Sequence, residues 1–270
     1  MSLDQQSYQR AATAALVGLG AQIVLTVLVG LSGLYAESAA IHAATWHAAG
    51  GIPVWFVLWA LFQAHGQERR EALEAEQLAA DDAQAAQLFD EAGQNLRLAK
   101  RRLDTLTKWG LSLTSAATGL FLIITGGVLF AVNYAYIPAT EFGEPRDFTA
   151  LNDAAIDDQA LVSLMVGLFA GAGIVVFLVA RYVSGMTIEK AWQPLRGGAG
   201  YLLGDVVLMA LLFVACLIQQ TQGGDRTTFA VLTLVIPALM VLQGVEIALT
   251  FVFGLYRPRK ADEVVRPAFD

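Results

Sequence analysis

Apolar residues gather along the chain into six long blocks, at about 11–35, 39–65, 106–137, 160–183, 199–220 and 228–255. A hydrocarbon core about 30 Å thick needs about 20 such residues per helical crossing, and the blocks are too long for core helices of a soluble domain. The pattern therefore predicts an all-α, polytopic membrane protein with six transmembrane helices. The first block ends near a sequence with some likeness to a cleavage site, "LYAES" (34–38), and only Arg10 precedes it. It is far longer than the roughly 7–15 residues of a signal-peptide core, so it reads as a retained first span.

Polar stretches between the blocks divide the rest. The longest, 67–104, joins a helix leaving the membrane to one re-entering it, and it is rich in Ala, Glu, Gln, Leu and Arg. These are good helix formers. A 3–4 apolar track runs through Ala85, Phe89, Ala92, Leu96, Ala99, Leu103 and Leu106 into the third span. Asp81 and Asp82 stand near the midpoint, and Asp favours a helix start. A helical hairpin turning near 80–83 is predicted between helices 2 and 3, with Gly93 as the alternative turn. The seam serves either the hairpin itself or an oligomer or partner contact. Six acids and one Arg make 138–159 a solvated outer loop. The stretch "WQPLRGGAG" (192–200) reads as a flexible glycine-rich entry to the fifth span, not a phosphate loop. The domain boundaries are then 1–256 for the membrane unit and 257–270 for a linker or tail.

Charge sets the orientation. With the N-terminus inside, all of the 17 Lys and Arg except Arg146 and Arg226 fall on inner flanks. The positive-inside rule then puts both termini in the cytoplasm. The composition, 56% hydrophobic and 15% charged with mean hydropathy +0.54, agrees with a membrane protein. The net charge of −7 comes from acids spread over loops and does not mark a ligand sink. Cys216, the single cysteine, precludes an intrachain disulfide.

Chemistry-bearing residues inside the spans are few. Ionisable groups in lipid are costly and count as functional candidates. Glu246, with Gln243 one turn earlier, is the leading candidate, followed by Asp205 in the first turns of span five and Arg181 at the inner end of span four. All three are placed in the cytoplasmic half, where an Arg181–Glu246 or Arg181–Asp205 pair could fasten the bundle. No His or acid relay is expected on neighbouring spans. His42 and His47 are five apart, about 140° round a helix, which does not converge on one metal. They are assigned to the outer interface, and neither a metal nor a cofactor is expected. Gly50, Gly51 and Pro53 predict a bend in span two, where proline removes a helical hydrogen bond. Gly167 and Gly171, Gly200 and Gly204, and Gly119, Gly126 and Gly127 have spacings suited to close helix packing. Pro53 and Pro237 do not correspond between halves, so an inverted-repeat transporter is not supported. No catalytic arrangement of an enzyme is present.

The segments "YRPRK" (256–260) and "VRPAFD" (265–270) resemble the linker of large bacterial Band-7/SPFH proteins, of the stomatin-like, HflK type. In that group the linker follows a multi-span N-terminal region and precedes a further membrane segment and the SPFH domain. The resemblance implies a bacterial inner-membrane scaffold that oligomerises and organises partners such as a membrane AAA protease. Three functions are thus carried forward. The first is a scaffold or assembly module in the lipid bilayer. The second is a small transporter or ion- or proton-conducting protein using Glu246 and Asp205. The third is a cofactor-bearing electron-transfer subunit.

Overall fold

A computed structural model describes residues 3–36, 38–81, 83–135, 167, 171, 173, 193–221 and 227–256. They form five long helices and, among the described residues, no strand: α1 (Leu3–Ala36), α2 (Ala39–Asp81), α3 (Ala83–Ala135), α4 (Gln193–Thr221) and α5 (Thr227–Tyr256). All five contain a stretch long and apolar enough to cross a membrane: Tyr8–Tyr35, Ala39–Gln67, Trp109–Ala135, Gly200–Ile218 and Val231–Leu249. Helices α4 and α5 are the fifth and sixth apolar blocks of the sequence. The fourth block, 160–183, lies outside the described residues except for Gly167, Gly171 and Gly173, and so does the tail 257–270.

Helix α2 is the hub, in contact with each of the other four, while α3 packs along α5. The α1–α2 contact follows a strict four-three spacing on α1: Ala11, Ala15, Gly18, Gln22, Leu25 and Val29, all buried. Small residues at such a seam let two backbones approach where lipid supplies no hydrophobic drive. Trp55 fills the space they leave and is fully buried. A Cβ on Gly18 would stand 2.5 Å from its ring, and one on Gly198 of α4 would stand 3.0 Å away. Outward faces carry Leu16, Leu31, Leu34, Leu113 and Val128, the residues a bilayer requires. Thr26, Ser32, Thr45 and Thr114 each donate to the carbonyl four residues earlier, so no hydroxyl there is left bare in an apolar setting.

Helix α2 ends at Asp81 and α3 begins at Ala83, and residue 82, at the turn expected near 80–83, lies outside the described residues. Gly93, the alternative turn, lies inside α3. The glycine-rich entry to the fifth span is a correction: α4 is already helical from Gln193, with Pro194 in its first turn, where a missing N–H costs nothing. The helix persists through Gly197 and Gly198 because Gly198 seats Trp55, and that burial outweighs a glycine's weak helix propensity. Asp205 is near the midpoint of this helix and is the sixth residue of its apolar stretch, Gly200–Ile218.

Candidate functional site

A buried polar junction lies where α1, α2, α4 and α5 meet. Gln22 is at the middle of the Tyr8–Tyr35 span, and Gln243 and Asp205 are near the midpoints of their helices. His47 comes from the first half of the α2 span. Asp205 is fully buried and His47 is 2% exposed. His47 Nδ1 lies 2.7 Å from Asp205 Oδ1. Its Nε2 meets the Oε1 of Gln243 in a short contact. Asp205 Oδ2 accepts a 2.7 Å hydrogen bond from Gln22 Nε2, which also donates to the Ala48 carbonyl at 2.7 Å. Tyr201, one turn before Asp205, stacks on the imidazole with ring centroids 5.0 Å apart and donates its hydroxyl to the His47 carbonyl at 2.6 Å.

The local sequence of α2 explains how these groups fit. Pro53 offers no N–H to its own helix, and in the turns before it the carbonyls of His47 and Ala48 take side-chain donors from α4 and α1. Gly50 and Gly51 clear the approach. A Cβ on Gly50 would sit 2.6 Å from the Tyr201 hydroxyl, and one on Gly51 would sit 2.7 Å from Gln22 Cδ and 2.9 Å from the Tyr201 ring. The Gly50–Gly51–Pro53 stretch is therefore a docking surface for polar side chains of two neighbours. Gln22 Nε2 faces two acceptors, which fixes the orientation of its amide. Its buried Oε1 then has no hydrogen-bond partner among the described residues.

Several sequence expectations are corrected by this arrangement. His47 is buried inside the bundle, where Asp205 and Gln243 meet its two ring nitrogens. Asp205 is the centre of the polar cluster, and both its oxygens are engaged by His47 and Gln22. A histidine–acid pair on neighbouring spans exists where no relay was expected. Glu246, the leading candidate, is exposed on α5 and lies off the face that carries Gln243, Gly244 and Ile247 to the bundle. His42 stays partly buried near the start of α2, beside Gly33 of α1. His65 stacks on Tyr8 at 5.6 Å. Arg181 lies outside the described residues.

The glycines divide likewise. Cβ atoms on Gly167 and Gly171 would stand 3.2 Å from Ser32 Oγ and Leu25 Cδ1, so both face α1. Gly204 borders the junction, 3.4 Å from Gln243 Nε2 and 3.7 Å from His47 Cε1 on the same measure. Gly200 is exposed, and a Cβ there would meet nothing within 4 Å among the described residues.

Gln22 and Tyr201 were not singled out by sequence. The signal for Gln22 was the spacing of the α1 seam, in which it is the one polar member. For Tyr201 the signal was its place one turn before Asp205 on the stripe Gly198, Tyr201, Asp205, Leu208, Leu212 and Ala215. No group of three or more His, Cys, Asp or Glu that could hold a metal ion occurs among the described residues. The group's chemistry is that of an exchangeable charge: a carboxylate and an imidazole, shielded from solvent and held by neutral amides. No protein-family model and no curated protein matches the chain.

Proposed function

We propose that the chain is a small ion-conducting protein of the membrane-transporter class, with the His47–Asp205 pair as its ion-handling centre and no enzymatic activity. One observation carries the reading: a buried carboxylate–imidazole pair inside two apolar spans, tied to polar groups of two further helices. A charged side chain at the centre of a bilayer costs about 2.5–3.5 kcal/mol on insertion scales, and such residues mark ion paths and proton relays. Well-packed apolar residues often hold a bundle as firmly as a buried ion pair does, so packing alone does not call for the pair. The topology adopted with this proposal is six spans, counting 160–183, with both termini and the 67–104 hairpin in the cytoplasm of a bacterial inner membrane. The distribution of Lys and Arg supports it.

The test is ion flux into liposomes loaded with the purified full chain, under imposed pH and monovalent-cation gradients. Asp205→Asn should abolish flux while the helical content stays intact. Equal flux in Asp205→Asn and the unchanged chain would refute the proposal, as would no flux from the unchanged chain.

A second reading, the scaffold, draws on a different feature. Helix α2 continues from Gln67 to Asp81, and α3 runs from Ala83 to Trp109 before its apolar stretch begins. At 1.5 Å per residue these extensions are about 20 Å and 40 Å long, a reach that suits contacts outside the bilayer. In this reading the bundle oligomerises or holds membrane partners, with the Band-7/SPFH-like linker leading to the rest of the assembly. A monomer in native-like nanodiscs with no co-purifying protein would set it aside.

A further inference from the structure

We infer that the ion handled at this junction is a proton, carried on Nε2 of His47, and that Gln243 is the positioning residue that holds it there. The inference rests on the transport reading of the same site and names its substrate.

The hydrogen-bond inventory leads to it. Neutral imidazole has one N–H and one bare nitrogen, while imidazolium has two N–H groups. Both ring nitrogens of His47 face oxygens: Nδ1 faces the Asp205 carboxylate and Nε2 faces the Gln243 carbonyl oxygen. Neither oxygen of an ionised carboxylate nor an amide carbonyl can donate, so with Asp205 ionised and Gln243 presenting Oε1 the arrangement is satisfied only when both nitrogens carry hydrogen. Gln22 supplies the donor for the second Asp205 oxygen, and Tyr201 spends its hydroxyl on the His47 carbonyl. With His47 as imidazolium and Asp205 as carboxylate, the junction has no net charge, and each charge has its partner within hydrogen-bond distance, which offsets the cost of burying it.

In release, the Nε2–H bond breaks and the proton passes to water admitted during transport. Nδ1 keeps its hydrogen on Asp205, and the junction is left with one negative charge. The bare Nε2 then faces the lone pairs of Gln243 Oε1, a repulsion removed when the amide turns to present its NH₂. Gly204 lies beside both groups, so no side chain from α4 wedges between ring and amide. Proton occupancy of an α2 residue is thereby read as the orientation of an α5 side chain. The groups facing His47 are Asp205 and Tyr201 from α4, Gln243 from α5 and, through Asp205, Gln22 from α1. Among the described residues α3 contributes Phe121 near Gly50 and Trp46, and no titratable group.

Nitrogen NMR of ¹⁵N-histidine-labelled full chain in lipid nanodiscs tests this, with His42→Asn and His65→Asn isolating the His47 signals. At neutral pH two protonated ring nitrogens are expected. Gln243→Leu should leave one, on Nδ1, and Gln243→Glu, which keeps an oxygen acceptor, should retain two. One protonated nitrogen in the unchanged chain, or two in Gln243→Leu, would overturn the inference. If Gln243→Leu does not fold, Gln243→Met takes its place with the same expectation. The outcomes separate from those of the flux test. Flux with a single protonated nitrogen defeats this inference alone, and two protonated nitrogens without flux defeat the transport reading alone.

Discussion

The two halves of the bundle are joined by opposite means. Between α3 and α5 the closest contact is made by backbone at glycines. A Cβ on Gly244 would lie 2.6 Å from the Gly119 carbonyl oxygen, and one on Gly126 would lie 2.7 Å from that of Pro237. Around α2, by contrast, α1, α4 and α5 are tied by side-chain hydrogen bonds converging on Asp205 and His47. The first contact depends on shape, and its strength is independent of protonation. The second is directional, and its strength depends on where one proton lies. A protein built only to hold helices together could have used glycines throughout; the polar junction adds something that packing does not supply.

Four substitutions separate the two kinds of contact. Asp205→Ala should have the largest effect, about 3–5 kcal/mol lost, because it strands His47 without its charge partner in a buried site. Unfolding from mixed micelles by added anionic detergent measures this. Gly244→Ala should cost about 1–3 kcal/mol, since the new methyl meets main chain that cannot give way. Its loss should be the same at every pH at which the chain is folded, unlike that of Asp205→Ala. Gln22→Leu should cost up to about 1.7 kcal/mol, the upper end for interhelical hydrogen bonds in lipid. It removes donors from Asp205 and Ala48 but also removes the unpartnered Oε1. Asn133→Ala, which deletes a 2.8 Å hydrogen bond to the Thr233 carbonyl where α3 meets α5 outside the glycine contact, should cost about 0.6 kcal/mol. If Gly244→Ala exceeds Asp205→Ala, packing and not the polar junction dominates the bundle.

The helices were legible in the sequence because the bilayer demands a length and a hydropathy that composition reveals directly. Ala39–Gln67 and Val231–Leu249 fall inside or within a few residues of their predicted blocks. The junction was not legible, for a geometric reason. The pairing of His47 with Asp205, 158 residues apart, is set by how α2 and α4 pack and leaves no local pattern in either segment. Glu246 lies three residues from Gln243 and is exposed, while Met240 and Gly244 are buried and Ile247 is partly buried. The azimuth of a polar residue, read from its apolar neighbours, was the missing quantity.

The bond between Gln22 and Asp205 also sets an order in time. It links residues 183 apart, and the His47–Asp205 bond links residues 158 apart. At a synthesis rate of about 5–20 residues per second, α1 and α2 wait roughly ten to forty seconds for α4 to leave the ribosome. Throughout that interval Gln22 and His47 lack Asp205, although the α1–α2 seam can already close around its small residues. The nascent protein therefore passes through a stage in which its polar centre is incomplete. Arrival of Asp205 ends that stage.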